Sequence, residues 1–369
     1  MKILLINNDK GWSGGQEHLM DLSSELIRRG EQVQFVVREG TRSLPRFSSL
    51  GVPVTALPRH GVAGDIKAVL ALVKLFRRER FDIVSINREH DLLLTAIAWK
   101  IAFPFGSSGR LIMSYHTSTS RWQPLLGLAD GILCISEHVK SMLLKGNCRA
   151  APKVTVLHYG IRLGLPPAPE RFCDERPRRF FRDRGFPIIT MVGEFWKNQQ
   201  ELVDALAILK AGFPSITLAL VGDNSDPWLA GPVIARISEN GLTDNVVFTG
   251  RIPREQIPDI FHDSDLAVTT HRNEGFGIVH LEALAAGTPV VCYDSGGMVD
   301  ILKGEDVGRI VSGGPEQFSE MLDSLLNDPA ERRRLGENAR ELLERRYSIG
   351  AMADRYHGYY RSLFSGGKG

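Results

Sequence analysis

Short apolar runs recur along the chain, most of them closing on glycine, asparagine, serine or aspartate. In the first half they are KILLIN (2–7), VQFVVR (33–38), DIVSIN (82–87), RLIMSYH (110–116), GILCIS (131–136) and VTVLHYG (154–160). In the second half they are IITMVG (188–193), ITLALVG (216–222), VVFTG (246–250), LAVTTH (266–271) and PVVCYD (289–294). Unbroken runs of this length suit strands buried on both faces of a parallel sheet. Helical periodicity fills the gaps. EHLMDLSSELIRRG (17–30) puts Leu19, Leu22, Leu26 and Ile27 on one face, with Gly30 as its stop. QELVDALAILKAG (200–212) does the same with Leu202, Val203, Leu206 and Leu209. Strand alternating with helix predicts βαβ units and a doubly wound α/β sheet.

The alternation starts twice. At Met1 the order is strand, glycine loop (Gly14, Gly15), helix; near Ile188 it is strand, Gly193, polar loop, helix. Between them, residues 164–187 are rich in Pro, Arg and Phe and carry no strand pattern. The expected organisation is therefore a first Rossmann-like domain over 1–163, a linker over 164–187 and a second Rossmann-like domain over 188–348. A helix over 349–364 has no strand after it and can pack back on either domain. The tail 365–369, SGGKG, is expected to be disordered.

Composition narrows the class. An apolar fraction of 43% and a charged fraction of 24% are those of a globular protein of ordinary domains. A net charge of +2 gives no support for a nucleic-acid partner. Cys134, Cys148, Cys173 and Cys292 form no C-x-x-C pair, so they read as reduced thiols of a cytosolic protein. The N-terminal apolar run is too short for a signal peptide. The longest apolar stretch, 92–105, is interrupted by Lys100 and reads as a core helix ending before Pro104. These features predict a cytoplasmic chain, with peripheral contact at the inner face of the membrane left open. Arg77, Arg78 and Arg80, and Arg178, Arg179, Arg182 and Arg184, form basic clusters that are either solvated surface or contacts for anionic headgroups.

In open α/β sheets ligands bind beyond the carboxyl ends of the strands. The first such loop, NNDKGWSGGQE (7–17), lacks G-x-G-x-x-G, yet Gly14 and Gly15 at a strand-to-helix turn allow a close backbone approach to an anion. Lys197, in GEFWKNQQE (193–201), precedes a helix, where it is either solvated or shares a phosphate with the helix N–H groups. His116 leaves its strand at the carboxyl end and either caps its own loop or serves a site.

The richest stretch is HRNEGFGIVHLEALAAGTPVV (271–291). It reads as a loop carrying Glu274, then a helix carrying Glu282 and stopped by Gly287. Eight residues of helix span about 12 Å. A glycosidase pair needs its carboxyl groups about 5–9.5 Å apart. The spacing therefore suits one extended ligand touched at two places. Free N–H groups near Gly275–Ile278 lie between the two acids, where a diphosphate fits. Hydroxyl-rich groups at both ends of a diphosphate describe a nucleotide sugar.

EGFGIVHLEALAAGTPVV resembles the E-x7-E signature of family 4 glycosyltransferases, which have the GT-B fold of two Rossmann-like domains facing across a cleft. GGQEHLMDLSSELIRRGEQV, ADGILCISEHVKSML, HYGIR (158–162), LVGDNSD, NVVFTGRIPREQIPDIF and YDSGGMVDIL resemble further family elements in the family's order. The resemblance implies a retaining transfer of sugar from a nucleotide-diphosphate donor to a glycan or lipid-linked acceptor. Envelope polysaccharide or lipopolysaccharide assembly is the implied setting, with no cofactor and no metal. Glu274 would lie beside the donor sugar and its reacting carbon, His116 would contact the sugar, and Lys197 would neutralise the diphosphate. Glu282 would bind the ribose, Arg251 would lie near the nucleobase, and Gly275, Phe276, Gly277, Ile278 and Val279 would offer backbone to sugar hydroxyls and diphosphate. Gly193 opens the loop of Lys197, and Gly15 would approach the diphosphate from the first domain.

The chain departs from the family pattern after Gly193. Glu194, Phe195 and Trp196 replace the usual Arg-Leu, and Lys197 comes about two positions early. Arg251, Arg272 or a residue of the first domain then has to substitute for the arginine, or donor binding is weaker. Two other readings follow from the same residues: a sugar-nucleotide epimerase, and a non-catalytic nucleotide-sugar-binding scaffold.

Overall fold

The computed structural model describes residues 1–9, 11–116, 123–145, 148–164 and 179–365. Most of the expected linker, the residues just after His116 and nearly all of the tail lie outside the described residues, as do Cys173 and Arg178. The chain divides into two compact units, one of Met1–Arg162 with Ser348–Gly369 and the other of Leu163–Tyr347.

The first unit holds seven strands: β1 (Lys2–Ile6), β2 (Gln32–Arg38), β3 (Val54–Leu57), β4 (Ile83–Ile86), β5 (Arg110–Tyr115), β6 (Gly131–Cys134) and β7 (Val154–Val156). All pair in parallel in the order β3-β2-β1-β4-β5-β6-β7. Its helices are α1 (Gly14–Arg28), α2 (Ser43–Ser48), α3 (Val62–Arg78), α4 (Glu89–Ala102) and α5 (Glu137–Leu144). The second unit holds β8 (Ile188–Val192), β9 (Thr217–Val221), β10 (Val246–Gly250), β11 (Leu266–Thr269), β12 (Val290–Tyr293) and β13 (Gly308–Val311), in the parallel order β10-β9-β8-β11-β12-β13. Its helices are α6 (Gln199–Leu209), α7 (Pro227–Glu239), α8 (Ile257–Asp263), α9 (Ile278–Ala285), α10 (Val299–Leu302), α11 (Pro315–Leu326) and α12 (Pro329–Leu342). The last helix, α13 (Ile349–Ser365), belongs to the first unit.

Both units are thus doubly wound α/β sheets, as the alternating pattern predicts. Two strands escape that pattern. β3 is VTAL between prolines 53 and 58, and β13 is GRIV with an arginine in it; both are edge strands, only partly buried, and need fewer apolar residues. The expected faces of α1 and α6 are buried, save that Ile27 is only half-buried. The stretch 92–105 is a core helix on one face alone, because Ile97 and Ile101 are exposed.

The core of the first unit packs Ile3, Leu5, Leu22 and Phe35 against Met352, Ala353, Tyr356 and Tyr360 of α13. Gly160 allows this packing. A Cβ there would meet the Ser348 carbonyl at 2.7 Å and the Met352 Cβ at 2.9 Å. Ile161 forms a bridge with Ser348, so the chain's exit from the first unit and its return lie side by side. Among the described residues, no helix is long and apolar enough to cross a membrane.

Candidate functional site

Each sheet reverses its direction of winding once, and such a switch point leaves a crevice at the carboxyl ends of the two strands beside it. In the second unit the switch lies between β8 and β11, which pair directly. The loop after β8 carries Lys197 and the loop after β11 carries Glu274. Topology therefore brings together two residues that the sequence separates widely. Lys197 Nζ donates to Glu274 Oε2 at 2.6 Å, and both side chains are largely buried.

Local backbone holds each partner in place. Asn198 adopts the left-handed conformation (φ 64°), turning the chain from Lys197 into α6, and Thr270 Oγ1 donates to its carbonyl at 2.7 Å. Gly193 and Gly222 touch backbone to backbone; a Cβ on Gly222 would lie 2.2 Å from the Gly193 carbonyl oxygen. On the other side, Gly277 (φ 87°) is the N-cap of α9, so the helix starts at Ile278. A Cβ on Gly277 would meet Met298 Sδ at 2.4 Å and His280 Nδ1 at 2.7 Å. The turn Ser295–Gly297 braces the Glu274 loop from beneath. Gly297 N–H donates to the Glu274 carbonyl at 2.8 Å, and Ser295 Oγ to that of Arg272 at 2.6 Å. Phe276 is buried with its ring 6.1 Å from that of Tyr347. The half-buried Ile278 and Val279 form the first turn of α9, where main-chain N–H groups have no intrahelical acceptor.

Burial pushes the Glu274 carboxyl up, but Lys197, with His280 and His271 beside it, outweighs burial and holds it below the ordinary range. Glu274 is therefore a carboxylate at neutral pH and not a general acid. His280, one turn into α9, is buried and lowered to about 4 by burial, so it is neutral, and its Nδ1 has no hydrogen-bond partner among the described residues.

Glu282 sits on the same helix and faces a cation of its own. Nε and Nη2 of Arg254 each lie 3.0 Å from Glu282 Oε1. Arg251, at the end of β10, is mostly exposed and holds Asp223 at 3.0 Å and Glu194 at 3.9 Å, tying the loops after β8 and β9 together. Arg272 is committed elsewhere, to Glu201 at 3.1 Å, the Gly313 carbonyl at 2.9 Å and the Tyr293 ring at 3.7 Å. Sequence reasoning passes over Arg254, His280 and the Ser295–Gly297 brace as site residues. Arg254 and the brace lie in stretches that resemble family elements but act through partners 28 and 23 residues away, and His280 reads as one more residue of a helix.

In the first unit, Gly15 lies in the opening turn of α1, beside His116 and Tyr159; a Cβ there would be 3.8 Å from the His116 ring and 3.7 Å from the Tyr159 hydroxyl. His116 Nδ1 hydrogen-bonds the Tyr159 hydroxyl, and the His18 ring stands 3.8 Å from that of Tyr159. Burial lowers His116 to about 4, so its ring is neutral at pH 7. Its Nε2 is buried without a partner among the described residues. The ring is thus held at one nitrogen and unpaired at the other.

Comparison with known proteins agrees with this layout. A family model described as Glycosyltransferase Family 4 matches residues 12–165, and one described as Glycosyl transferases group 1 matches residues 174–342. The 2-deoxystreptamine glucosyltransferase of Streptomyces kanamyceticus is 26% identical over 82% of this chain and 82% of its own length. The capsular polysaccharide biosynthesis glycosyltransferase CapM of Staphylococcus aureus is 23% identical over 95% of each. Anabaena HepE, solved in complex with UDP, superposes with a TM-score of 0.82 at 21% identity, covering 98% of this chain and 100% of that one.

Proposed function

Because the two family regions stand in tandem, so that the chain belongs to the family 4 glycosyltransferases of the GT-B fold, we propose that it is a retaining, metal-independent enzyme that takes its sugar from a nucleotide-diphosphate donor. The observation that carries this reading is the contact of Lys197 with Glu274 at the switch point of the second sheet. Structures of HepE with UDP and with UDP-glucose support the donor class.

In the proposed reaction the bond from the sugar's anomeric carbon to the diphosphate breaks and the acceptor oxygen takes its place on the same face. The acceptor proton leaves with a phosphate oxygen. Charge grows on the diphosphate, where the Lys197 ammonium and the first-turn N–H groups of α9 meet it. Glu274, ionised, accepts hydrogen bonds from sugar hydroxyls and offsets positive charge at the reacting carbon. Glu282 takes the ribose and Arg251 lies near the nucleobase, while Gly193, Gly275, Phe276 and Gly277 lend backbone to the donor. His116 and Gly15 serve the sugar and the diphosphate from the first unit.

For the acceptor we propose a glycan or lipid-linked glycan of envelope polysaccharide or lipopolysaccharide assembly, reached at a membrane surface. Val62, Ile66 and Leu70 are exposed at four-residue spacing on α3, Ile97 and Ile101 are exposed on α4, and Arg77 and Arg78 end α3. Co-sedimentation with anionic vesicles should be salt-sensitive and should drop at least about tenfold when Ile66 and Leu70 become Asp. Binding that ignores both salt and substitution removes this part.

A panel of nucleotide sugars tests the activity. A donor that raises the melting temperature and releases nucleoside diphosphate only with acceptor present supports transfer. Conversion of the donor without acceptor points to an epimerase, binding without turnover to a scaffold, and no binding of any nucleoside diphosphate overturns the reading.

A further inference from the structure

We propose that His60, Asp65 and His90 form a binding site for a divalent transition-metal ion of the zinc class, on the wall of a cavity in the first unit. The three residues come from one loop and two neighbouring helices. His60 lies in the loop after β3, Asp65 in the first turn of α3 and His90 in the first turn of α4. One ligand atom from each lies within 4.8 Å of the others. His90 Nε2 is 3.3 Å from Asp65 Oδ2, and His60 Nδ1 is 3.8 Å from Asp65 Oδ1. A tetrahedral ion with ligands at about 2.0–2.1 Å sets neighbouring ligand atoms about 3.3–3.4 Å apart. The first distance meets that edge; the second runs to the other Asp65 oxygen, and separations within the set extend up to 4.8 Å, so the two rings must draw in on one oxygen when the ion binds.

Charge in this corner is unbalanced. Arg38 is buried and donates to Asp65 Oδ1 at 2.8 Å, with Asp91 Oδ1 at 3.7 Å from the same nitrogen. Asp91 is itself buried, and its Oδ2 has no hydrogen-bond partner among the described residues. Two carboxylates thus share one guanidinium. A buried carboxylate without full compensation is costly, and a divalent cation at Asp65 supplies the missing charge.

The residue before His60, Arg59, is closely packed. A Cβ on Gly64 would lie 2.0 Å from the Arg59 carbonyl oxygen, and Gly40 (φ 77°) lies against the Arg59 guanidinium. His60 also lines a cavity of about 430 Å³ together with Asn8, Arg38, Glu39, Thr41 and Arg59. Two imidazoles and one carboxylate select zinc, cobalt or nickel over magnesium or calcium. Three protein ligands leave a position for water or for an oxygen of a molecule held in the cavity. These three residues are none of those assigned to the donor, and the donor panel and the metal experiment succeed or fail independently.

The test uses the full chain stripped with EDTA. Calorimetric titration with zinc chloride should give one equivalent, cobalt chloride should give visible d–d absorption, and zinc should raise the melting temperature. His60→Gln and His90→Gln should each weaken zinc binding at least about tenfold and abolish the cobalt bands. Both should melt in EDTA where the parent does, which separates ligand loss from misfolding. Absence of binding, absence of cobalt bands, or binding left unchanged by either substitution overturns the proposal.

Discussion

Lys197 and Glu274 stand 77 positions apart in sequence and 2.6 Å apart in space. The glutamates of the site were legible because their spacing, glycine turn and apolar helix are local. Their cations were not, since pairing depends on which strands neighbour each other. Arg254 illustrates this: nothing in GRIPREQ announces that its second arginine will reach Glu282, 28 residues on. Two outcomes follow at this scale. Glu274→Ala should lower kcat about 10²–10³-fold with donor KM nearly unchanged, because charge at the reacting carbon matters most in the transition state. Glu282→Ala should raise donor KM about tenfold, roughly 1.4 kcal/mol, with a smaller effect on kcat. Arg254→Ala should resemble Glu282→Ala, and the double variant should lose less than the sum. Purely affinity-based losses at both glutamates would contradict this division. His116 makes a pH prediction. A histidine held near 4 is neutral above that value, so kcat/KM should show no His116 inflection near 6.5 and should fall only as the pH approaches 4.

At the scale of elements, periodicity reports burial and little else. Central strands were readable because both their faces are covered. β3 and β13 were not, because an edge strand can afford polar residues. Periodicity does not mark the start of α9 either: Gly277 is left-handed, the helix begins at Ile278, and Met298 and His280 fill the space that a Cβ at Gly277 would need. The motif YDSGGMVDIL resembles a family element in sequence, but its work is mechanical. Gly297→Ala would place a Cβ 2.2 Å from the Gly275 carbonyl oxygen, backbone against backbone. It should destabilise the second unit by about 1–3 kcal/mol and lower activity as the Glu274 loop shifts. Gly358→Ala, on the exposed face of α13 with no atom within 4 Å, is the control and should be neutral or stabilising by up to about 1 kcal/mol. Thermal melts of the two variants, read beside kcat, check both statements.

At the scale of the whole molecule, the repeat of strand, glycine loop and helix showed that there are two sheets, and no periodicity could show which of them α13 joins. Its buried residues Met352, Ala353, Tyr356 and Tyr360 belong to the first unit's core. Removing residues 349–369 should therefore strip protection from β1, β2 and β5 in hydrogen exchange while β8, β9 and β11 keep theirs. Equal loss in both units would contradict the assignment.

The same helix sets an order of events on the ribosome. All seven strands of the first sheet have been made by Val156, yet their covering helix is encoded after the whole second unit. At about 5–20 residues per second, the roughly 185 residues in between take on the order of ten to forty seconds. For that interval a nascent chain carries a complete sheet with one apolar wall uncovered, while the second unit has every residue of its core in hand. The half that is synthesised first is thus the half that finishes last, and it is the one most in need of a chaperone.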